Sequence, residues 1–320
     1  MEKRALGNSG LTVAPLVFGG NVFGWTADRE RSFQLLDAFV DAGFDAIDTA
    51  DVYSRWVPGN VGGDSETIIG EWLRATGKRD RVKLLTKVGG DMGQNGGQGH
   101  KDLSPGWIEK AVEDSLRRLN TDVIDLYQAH WPDPQTPVEE TLRAFDRLIQ
   151  AGKVRAIGVS NHDAAQVSEA LAVSDREGLA RYSVMQPHYN LYSRATFEGP
   201  VQDLAVREGI GAITYYSLES GFLSGKYLTA DQVIGTAREG SLKDKFDERG
   251  VRILAMLRAV AERNEATSAQ TSLAWLLSRP GVAAPIVSAT SLDQLSDTLK
   301  AAELTLSAED LAELTKASEA

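Results

Sequence analysis

Cysteine is absent from all 320 residues. That excludes disulfides, zinc–thiolate sites and a cysteine nucleophile, and it accords with a reducing cytoplasm, the expected location. Long apolar runs are missing too: nothing approaches the ~20 consecutive apolar residues of a membrane helix. Positive charge is in deficit, with 34 Lys and Arg against 45 Asp and Glu and a formal net charge of −11. Nonspecific nucleic-acid or anionic-membrane binding, which calls for a basic face, is therefore disfavoured, and an anionic ligand must be held by local donors. No G-x-G-x-x-G follows a strand pattern and no G-x-x-x-x-G-K-[ST] occurs, so neither a Rossmann dinucleotide turn nor a phosphate loop is expected. No cluster of His, Asp and Glu has metal-ligand spacing, and no metal is expected. The opening MEKRALGNSG has basic residues without an apolar run behind them and is read as lacking a signal peptide. Internal repeats, coiled-coil heptads and a low-complexity tail are likewise not found.

What is present is alternation. Short apolar runs rich in β-branched residues stand at LVFGG (16–20), FDAID (44–48), VKLLTK (82–87), VIDLYQAH (123–130), VRAIGVS (154–160), YSVMQ (182–186), GAITYY (211–216) and AAPIVS (283–288). Helical patterns lie between them, at about 28–42, 65–76, 106–119 and 137–151 among others. Asp64, Ser65 and Glu66 suit a helix N-terminus. Eight strands alternating with helices make a closed (β/α)8 barrel the leading architecture, as one domain over residues 1–320, with a doubly wound open sheet as the alternative. The Gly-rich start reads as a β-hairpin, and SAEDLAELTKAS (307–318) as an amphipathic surface helix. The long loop GGDMGQNGGQGHKDLSP (89–105), on the C-terminal side of a strand, has the composition of a substrate loop.

Four polar residues stand at or just beyond the ends of three of these runs: Asp48, Tyr53, Lys87 and His130. In a barrel the C-terminal strand ends converge at the mouth where barrel enzymes keep their chemistry. A tyrosine is a poor acid or base near neutral pH because its ordinary pKa is about 10. An ammonium beside it stabilises the phenolate, so Lys87 is expected to bring the Tyr53 proton into range, with Asp48 holding the lysine charged and fixed. His130 can donate to a substrate oxygen and orient a carbonyl. Taken singly, each has a structural reading: a loop acid, a packed aromatic, a solvated lysine, a hydrogen-bonded histidine. It is the ordered set that points to chemistry.

In its motifs the sequence resembles the aldo-keto reductases, nicotinamide-dependent carbonyl reductases on a (β/α)8 barrel. The resemblance runs from RALGNSGLTVAPLVFGG (4–20) to SATSLDQL (288–295). It is carried by FDAIDTADVYS (44–54), LTKVG (85–89) and LYQAHWPD (126–133), and it implies that Asp48, Tyr53, Lys87 and His130 are the catalytic tetrad. It further implies a nicotinamide site at Ser160 and Asn161 of GVSNH (158–162) with Gln186, and contacts from Gly20 and Asn21. In YYSLESGFLSGKY (215–227) either Tyr215 or Tyr216 would stack on the nicotinamide ring, the register staying open. Ser217, Leu218, Ser220, Gly221 and Lys226 would cover the pyrophosphate. At the adenosine end the resemblance places Ser288, Thr290, Gln294 and Asp297, and Arg238 of TAREGSLKDK (236–245) as a partner for a 2′-phosphate. The implied cofactor is NADP, with NAD as the alternative.

Trp25, Arg55, Trp56, Trp131 and Phe222 neighbour these motifs and are read as a partly aromatic substrate pocket for a small carbonyl or alcohol, or alternatively as packing beneath loops. The β subunits of voltage-gated potassium channels look similar to this chain, so a cofactor-binding regulatory or redox-sensing subunit is the second reading. A Schiff-base aldolase is the third, opposed by a lysine that a carboxylate keeps charged.

Overall fold

The computed structural model describes residues 1–93, 101–236 and 239–319. The N-terminal hairpin pairs β1 (Arg4–Ala5) with β2 (Thr12–Val13). The strands that follow are β3 (Val17–Gly19), β4 (Ala46–Asp48), β5 (Lys83–Val88), β6 (Ile124–Ala129), β7 (Val154–Ser160), β8 (Tyr182–Gln186), β9 (Gly211–Thr214) and β10 (Val282–Val287). All eight are parallel, and they close into a barrel in the order β10-β3-β4-β5-β6-β7-β8-β9, which rules out the open sheet. Around it lie α1 (Arg29–Asp41), α2 (Asp64–Thr76), α3 (Pro105–Leu119), α4 (Val138–Gln150), α5 (Ala164–Glu177) and α6 (Pro200–Glu208). The chain continues through α7 (Glu239–Leu242), α8 (Glu248–Arg263), α9 (Ser268–Leu277), α10 (Leu292–Leu299) and α11 (Ala308–Ala317).

Local chemistry accounts for the helix starts. Asp28 caps α1 by accepting from the Arg31 amide, Ser104 caps α3 ahead of Pro105, and Asp163 with Gln166 forms a capping box on α5. α2 starts at Asp64, Ser65 and Glu66 as expected, but without a side-chain cap. Its cap is Gly63 in a left-handed conformation, and Ser65 and Glu66 are buried rather than solvated at the helix end. Ser65 donates to the Gly20 carbonyl, while Glu66 accepts from Thr86 and Arg118, so this acid is an interior partner of α3. Gly70 makes the approach of α2 to α3 feasible, because a Cβ there would lie 1.9 Å from the Arg118 carbonyl oxygen.

Two apolar layers result. One fills the space between strands and helices. The other lies inside the barrel, where Val17, Ala46, Leu85, Leu126, Val184 and Ile213 meet Leu6 and Val13 of the hairpin. Side chains alternate along a strand, so residues two further on also face inward, one layer nearer the mouth. Those residues are Asp48, Lys87, Gln128, Gln186 and Tyr215. Leu85 pairs with Leu126 and Lys87 with Gln128 in register, so the apolar layer is followed directly by a polar one. The end of β9 comes earlier than GAITYY predicts: the strand stops at Thr214, and Tyr215 makes an isolated bridge to His188.

Among the described residues no helix is long and apolar enough to cross a membrane, and no group of three or more His, Cys, Asp and Glu could hold a metal ion.

Candidate active site

The centre of the polar layer is the Lys87 ammonium, wholly buried. Its three donors go to Asp48 Oδ2 at 2.7 Å, the Thr49 carbonyl at 2.8 Å and the Tyr53 hydroxyl at 2.9 Å. Asp48 is fixed in turn from across the barrel, where Gln186 Nε2 donates to its other oxygen at 2.8 Å. The link from strand to tyrosine is a tight turn. Thr49 N–H donates to the Leu85 carbonyl, Tyr53 N–H to the Ala50 carbonyl, and Ser54, at φ 69°, anchors its hydroxyl on the Phe23 carbonyl. His130, one step past β6, has its amide on the Val88 carbonyl and its ring 6.0 Å from that of Tyr53. The four residues named from sequence therefore do converge.

The electrostatics differ from the sequence expectation in one respect. Burial pushes the Tyr53 phenol well above its ordinary pKa, and the Asp48 charge pushes it further. Lys87 does not reverse this, because its charge is matched by Asp48 next to it. Tyr53 is thus a protonated phenol. Its oxygen accepts from Lys87. Burial lowers the Lys87 ammonium and raises the Asp48 carboxyl, each held back by the charge of the other. Burial, then the charges of Lys87 and Lys101, push His130 well below its ordinary value, so the ring is a neutral imidazole near pH 7.

The residues expected at the cofactor take varied positions. Ser160 donates to the Gln186 carbonyl at 2.9 Å, and Asn161, at φ 60°, donates to the His130 carbonyl at 2.9 Å. Tyr215 donates to Asn161 Oδ1 at 2.7 Å and stacks on His188. Tyr216 instead projects outward and is 53% exposed, which separates the two rings of the open register. Ser217 is buried and donates to the Thr214 carbonyl. Leu218 leads into a 3-10 turn in which Ser220 and Gly221 have positive φ. Lys226 is exposed, its ammonium 5.0 Å from the Tyr227 ring centroid. Gly20 and Asn21 form a turn after β3, with Asn21 Oδ1 2.7 Å from the Ser288 hydroxyl. Thr290 donates to Gln294 at the start of α10. Asp297 is committed to the start of α9, where it accepts from Thr267 and Gln270. Arg238 lies outside the described residues.

This set fits a nicotinamide dinucleotide. Hydroxyl and amide groups of Ser160, Asn161 and Gln186 sit beside Asp48 and His130 with the Tyr215 ring next to them. A Cβ on Gly221 would meet nothing within 4 Å, so the strap after β9 faces open space.

Of the pocket candidates, Trp25, Trp56 and Trp131 are exposed and gather around Tyr53. Trp25 meets Trp56 edge-on at 5.7 Å, Trp56 meets Tyr53 at 6.1 Å and Trp131 stacks on His130 at 5.9 Å. Arg55 donates to the Asp91 carbonyl, with the Asp91 carboxylate 3.6 Å away. Phe222 requires a correction: it is wholly buried between Tyr192 and Phe246, turned inward against Gly250 of α8, and does not line the mouth.

Three groups were not singled out from sequence. Gln128 belongs to the inward layer and was readable from its place two residues before His130. Glu219 lies in a motif that was quoted, but its partners are distant in sequence. Asp51, between Asp48 and Tyr53, is buried with neither carboxylate oxygen partnered among the described residues. Burial, then the charge of Glu66, pushes its pKa well up. Because the native state then holds a proton that the unfolded chain releases above about pH 4, stability falls as pH rises past that point. Asp51→Asn removes this dependence. Denaturant melts should show the variant level with wild type at pH 4 and more stable at pH 7. Its advantage should grow at up to about 1.4 kcal/mol for each step of one in pH, for as long as the native acid keeps its proton. Parallel pH profiles for the two proteins would refute the buried-acid account.

The sequence matches the aldo/keto reductase family over residues 15–319. An uncharacterized oxidoreductase of Bacillus subtilis (strain 168), YrpG, is 34% identical over 314 residues, covering 97% of this chain and 94% of the relative. A probable voltage-gated potassium channel subunit beta of Oryza sativa subsp. japonica is 34% identical over 313 residues, covering 95% and 92%. The aldo-keto reductase YhdN of Bacillus subtilis (strain 168) is 33% identical over 319 residues, covering 97% and 91%. By class the protein is an oxidoreductase, of a kind that generally uses a nicotinamide dinucleotide and acts on small carbonyl compounds. It belongs to the aldo/keto reductase family.

Proposed function

We propose that the protein reduces an aldehyde or ketone to an alcohol with NADPH, reversibly, with Asp48, Tyr53, Lys87 and His130 as its catalytic residues. The observation that carries this is the Lys87 ammonium bridging Asp48 and the Tyr53 hydroxyl at 2.7 and 2.9 Å beneath a neutral His130. A nicotinamide held by Ser160, Asn161, Gln186 and Tyr215 would supply the hydride for the carbonyl carbon. Tyr53 gives its proton to the carbonyl oxygen as negative charge develops there, and regains one from solvent. Lys87 stabilises the phenolate left behind, and Asp48, held by Gln186, keeps Lys87 in place. His130 donates to the same oxygen and fixes its direction. Run backwards, the steps oxidise an alcohol. The tryptophans around Tyr53 and the compensation of Arg55 by Asp91 favour neutral substrates with a flat apolar or cyclic body.

NADPH is placed ahead of NADH on the basic stretch that contains Arg238 and Lys243, in a protein of net charge −11. Fluorescence titration of wild type and Arg238→Ala with both dinucleotides tests this. NADPH should bind more tightly, and the variant should lose roughly tenfold for NADPH alone, an ordinary loss for one charge-assisted contact. Preference for NADH would remove the NADP assignment, and binding of neither would remove the enzyme reading.

The second reading, a regulatory subunit, is supported by the identity to a probable channel β subunit along nearly the whole chain. Multiple turnovers with a simple aldehyde would decide against it.

A further inference from the structure

Glu219 follows β9 by five residues and its carboxylate is buried. It stands in a strained stretch of backbone: Tyr216, Glu219 and Ser220 have φ of 51°, 47° and 56°, followed by Gly221 at 98°. Left-handed conformations are costly for residues with a Cβ and persist only where the surroundings over-determine them. The surroundings here converge on one side chain. Glu219 Oε2 accepts from His188 Nε2 at 2.9 Å, the Ser193 hydroxyl at 2.9 Å and Asn190 Nδ2 at 2.5 Å, and Oε1 accepts from Lys245 at 2.6 Å. Asn190 also donates to the Tyr216 carbonyl at 2.9 Å, so the same amide pins both ends of the turn. Burial raises the Glu219 carboxyl, but the bonds from His188, Lys245 and Asn190 outweigh it and bring its pKa down to about 2. It is a carboxylate at any working pH.

A buried carboxylate in the strap expected to face a pyrophosphate is at first sight misplaced, because bare it would repel the ligand. Lys245 resolves this by cancelling the charge. Lys245 is itself seated, 4.7 Å from the Tyr192 ring centroid.

Resting on the cofactor reading above, we propose that Glu219 is a positioning residue for the dinucleotide. Gripped by His188, Asn190, Ser193 and Lys245, it holds residues 216–221 in turns where the Glu219 and Gly221 N–H groups close onto the Tyr216 and Leu218 carbonyls, leaving those of Ser217, Leu218 and Ser220 for phosphate, and Lys245 both ties residues 239–250 to this strap and neutralises it. Successive N–H groups in such turns form an anion-binding concavity, and the space over Gly221 is open.

The charge argument sets an order among variants. Glu219→Gln loses the grip but leaves no extra negative charge. Lys245→Met leaves an uncompensated carboxylate beside the phosphates and should be worse. The double variant should return toward Glu219→Gln, and Lys245→Arg should stay near wild type. Stopped-flow fluorescence of NADPH release reads this directly. Release should be about tenfold faster in Glu219→Gln and faster still in Lys245→Met, since such changes fall mainly on dissociation. The cofactor KM should rise with it, while kcat changes far less. Calorimetry of the apoproteins separates this from unfolding, and if Glu219→Gln fails to fold, the Lys245→Met and Lys245→Arg pair carries the test. Release rates equal to wild type in Glu219→Gln and Lys245→Met would overturn the inference alone. A wild type that binds neither NADPH nor NADH would overturn it together with the proposed function.

Discussion

Tyr53→Phe is expected to lower kcat for carbonyl reduction by roughly 10²–10⁴-fold, the range spanned by losing a positioned general acid. The substitution removes one oxygen and little else. The ring keeps its contacts with Trp56 and His130, and Lys87 keeps Asp48 and the Thr49 carbonyl. What disappears is the proton of a phenol that stays protonated and whose oxygen accepts from Lys87. The neutral His130 can still polarise a carbonyl, so a slow residual rate should survive. Steady-state kinetics with a fixed aldehyde, beside a dinucleotide titration, checks this. A Tyr53→Phe enzyme turning over within tenfold of wild type would mean that the proton comes from somewhere else, with His130 or a water as the remaining sources.

Lys87→Met should cost both stability and rate. Removing one member of a buried ion pair leaves the other charge without a partner, typically at 3–5 kcal/mol. The site meets the conditions for that figure: both side chains are buried, and the carboxylate would keep neutral amide partners such as Gln186 but no ammonium. Urea melts of Lys87→Met, Asp48→Asn and the double variant separate the two effects. The double variant should regain much of the stability, because no isolated charge remains, and should regain none of the activity, because the phenolate still lacks its ammonium. A single variant as stable as wild type would show that Asp48 takes up a proton at little cost, and the ion pair would then lose its structural role.

The eight strands were legible because each carries a β-branched run with a turn signal after it, and because inward alternation carries Lys87 and Gln128 past the apolar layer without a break in register. The convergence of Asp48, Tyr53, Lys87 and His130 was legible for the same reason, since strand ends are fixed by the fold. Side chains on irregular segments were not. Phe222 stands beside a recognisable motif, but the 3-10 turn it sits in rotates it into the core. Glu66 reads as a helix-start acid, and only the approach of α3, permitted at Gly70, makes it an interior partner of Arg118. Glu219 has its partners 26 to 31 residues away, a spacing that no local pattern encodes. The position of Tyr53 beside Lys87 was legible, whereas the upward shift of its pKa depends on burial and on the Asp48 charge, which no local pattern encodes.

The N-terminal hairpin closes the other end of the barrel so tightly that a Cβ on Gly7 would stand 2.3 Å from the backbone of Gly211 and Ser183. Leu6 and Val13 join the interior apolar layer there. The barrel is in consequence a vessel with a sealed base: everything that enters or leaves the polar layer shares one doorway, and the two ends of the molecule answer to different demands. Sequence drift at the base is answerable to folding, whereas drift around the doorway is answerable to which molecules are admitted, so the lineage can change its diet without reopening the question of how the chain folds.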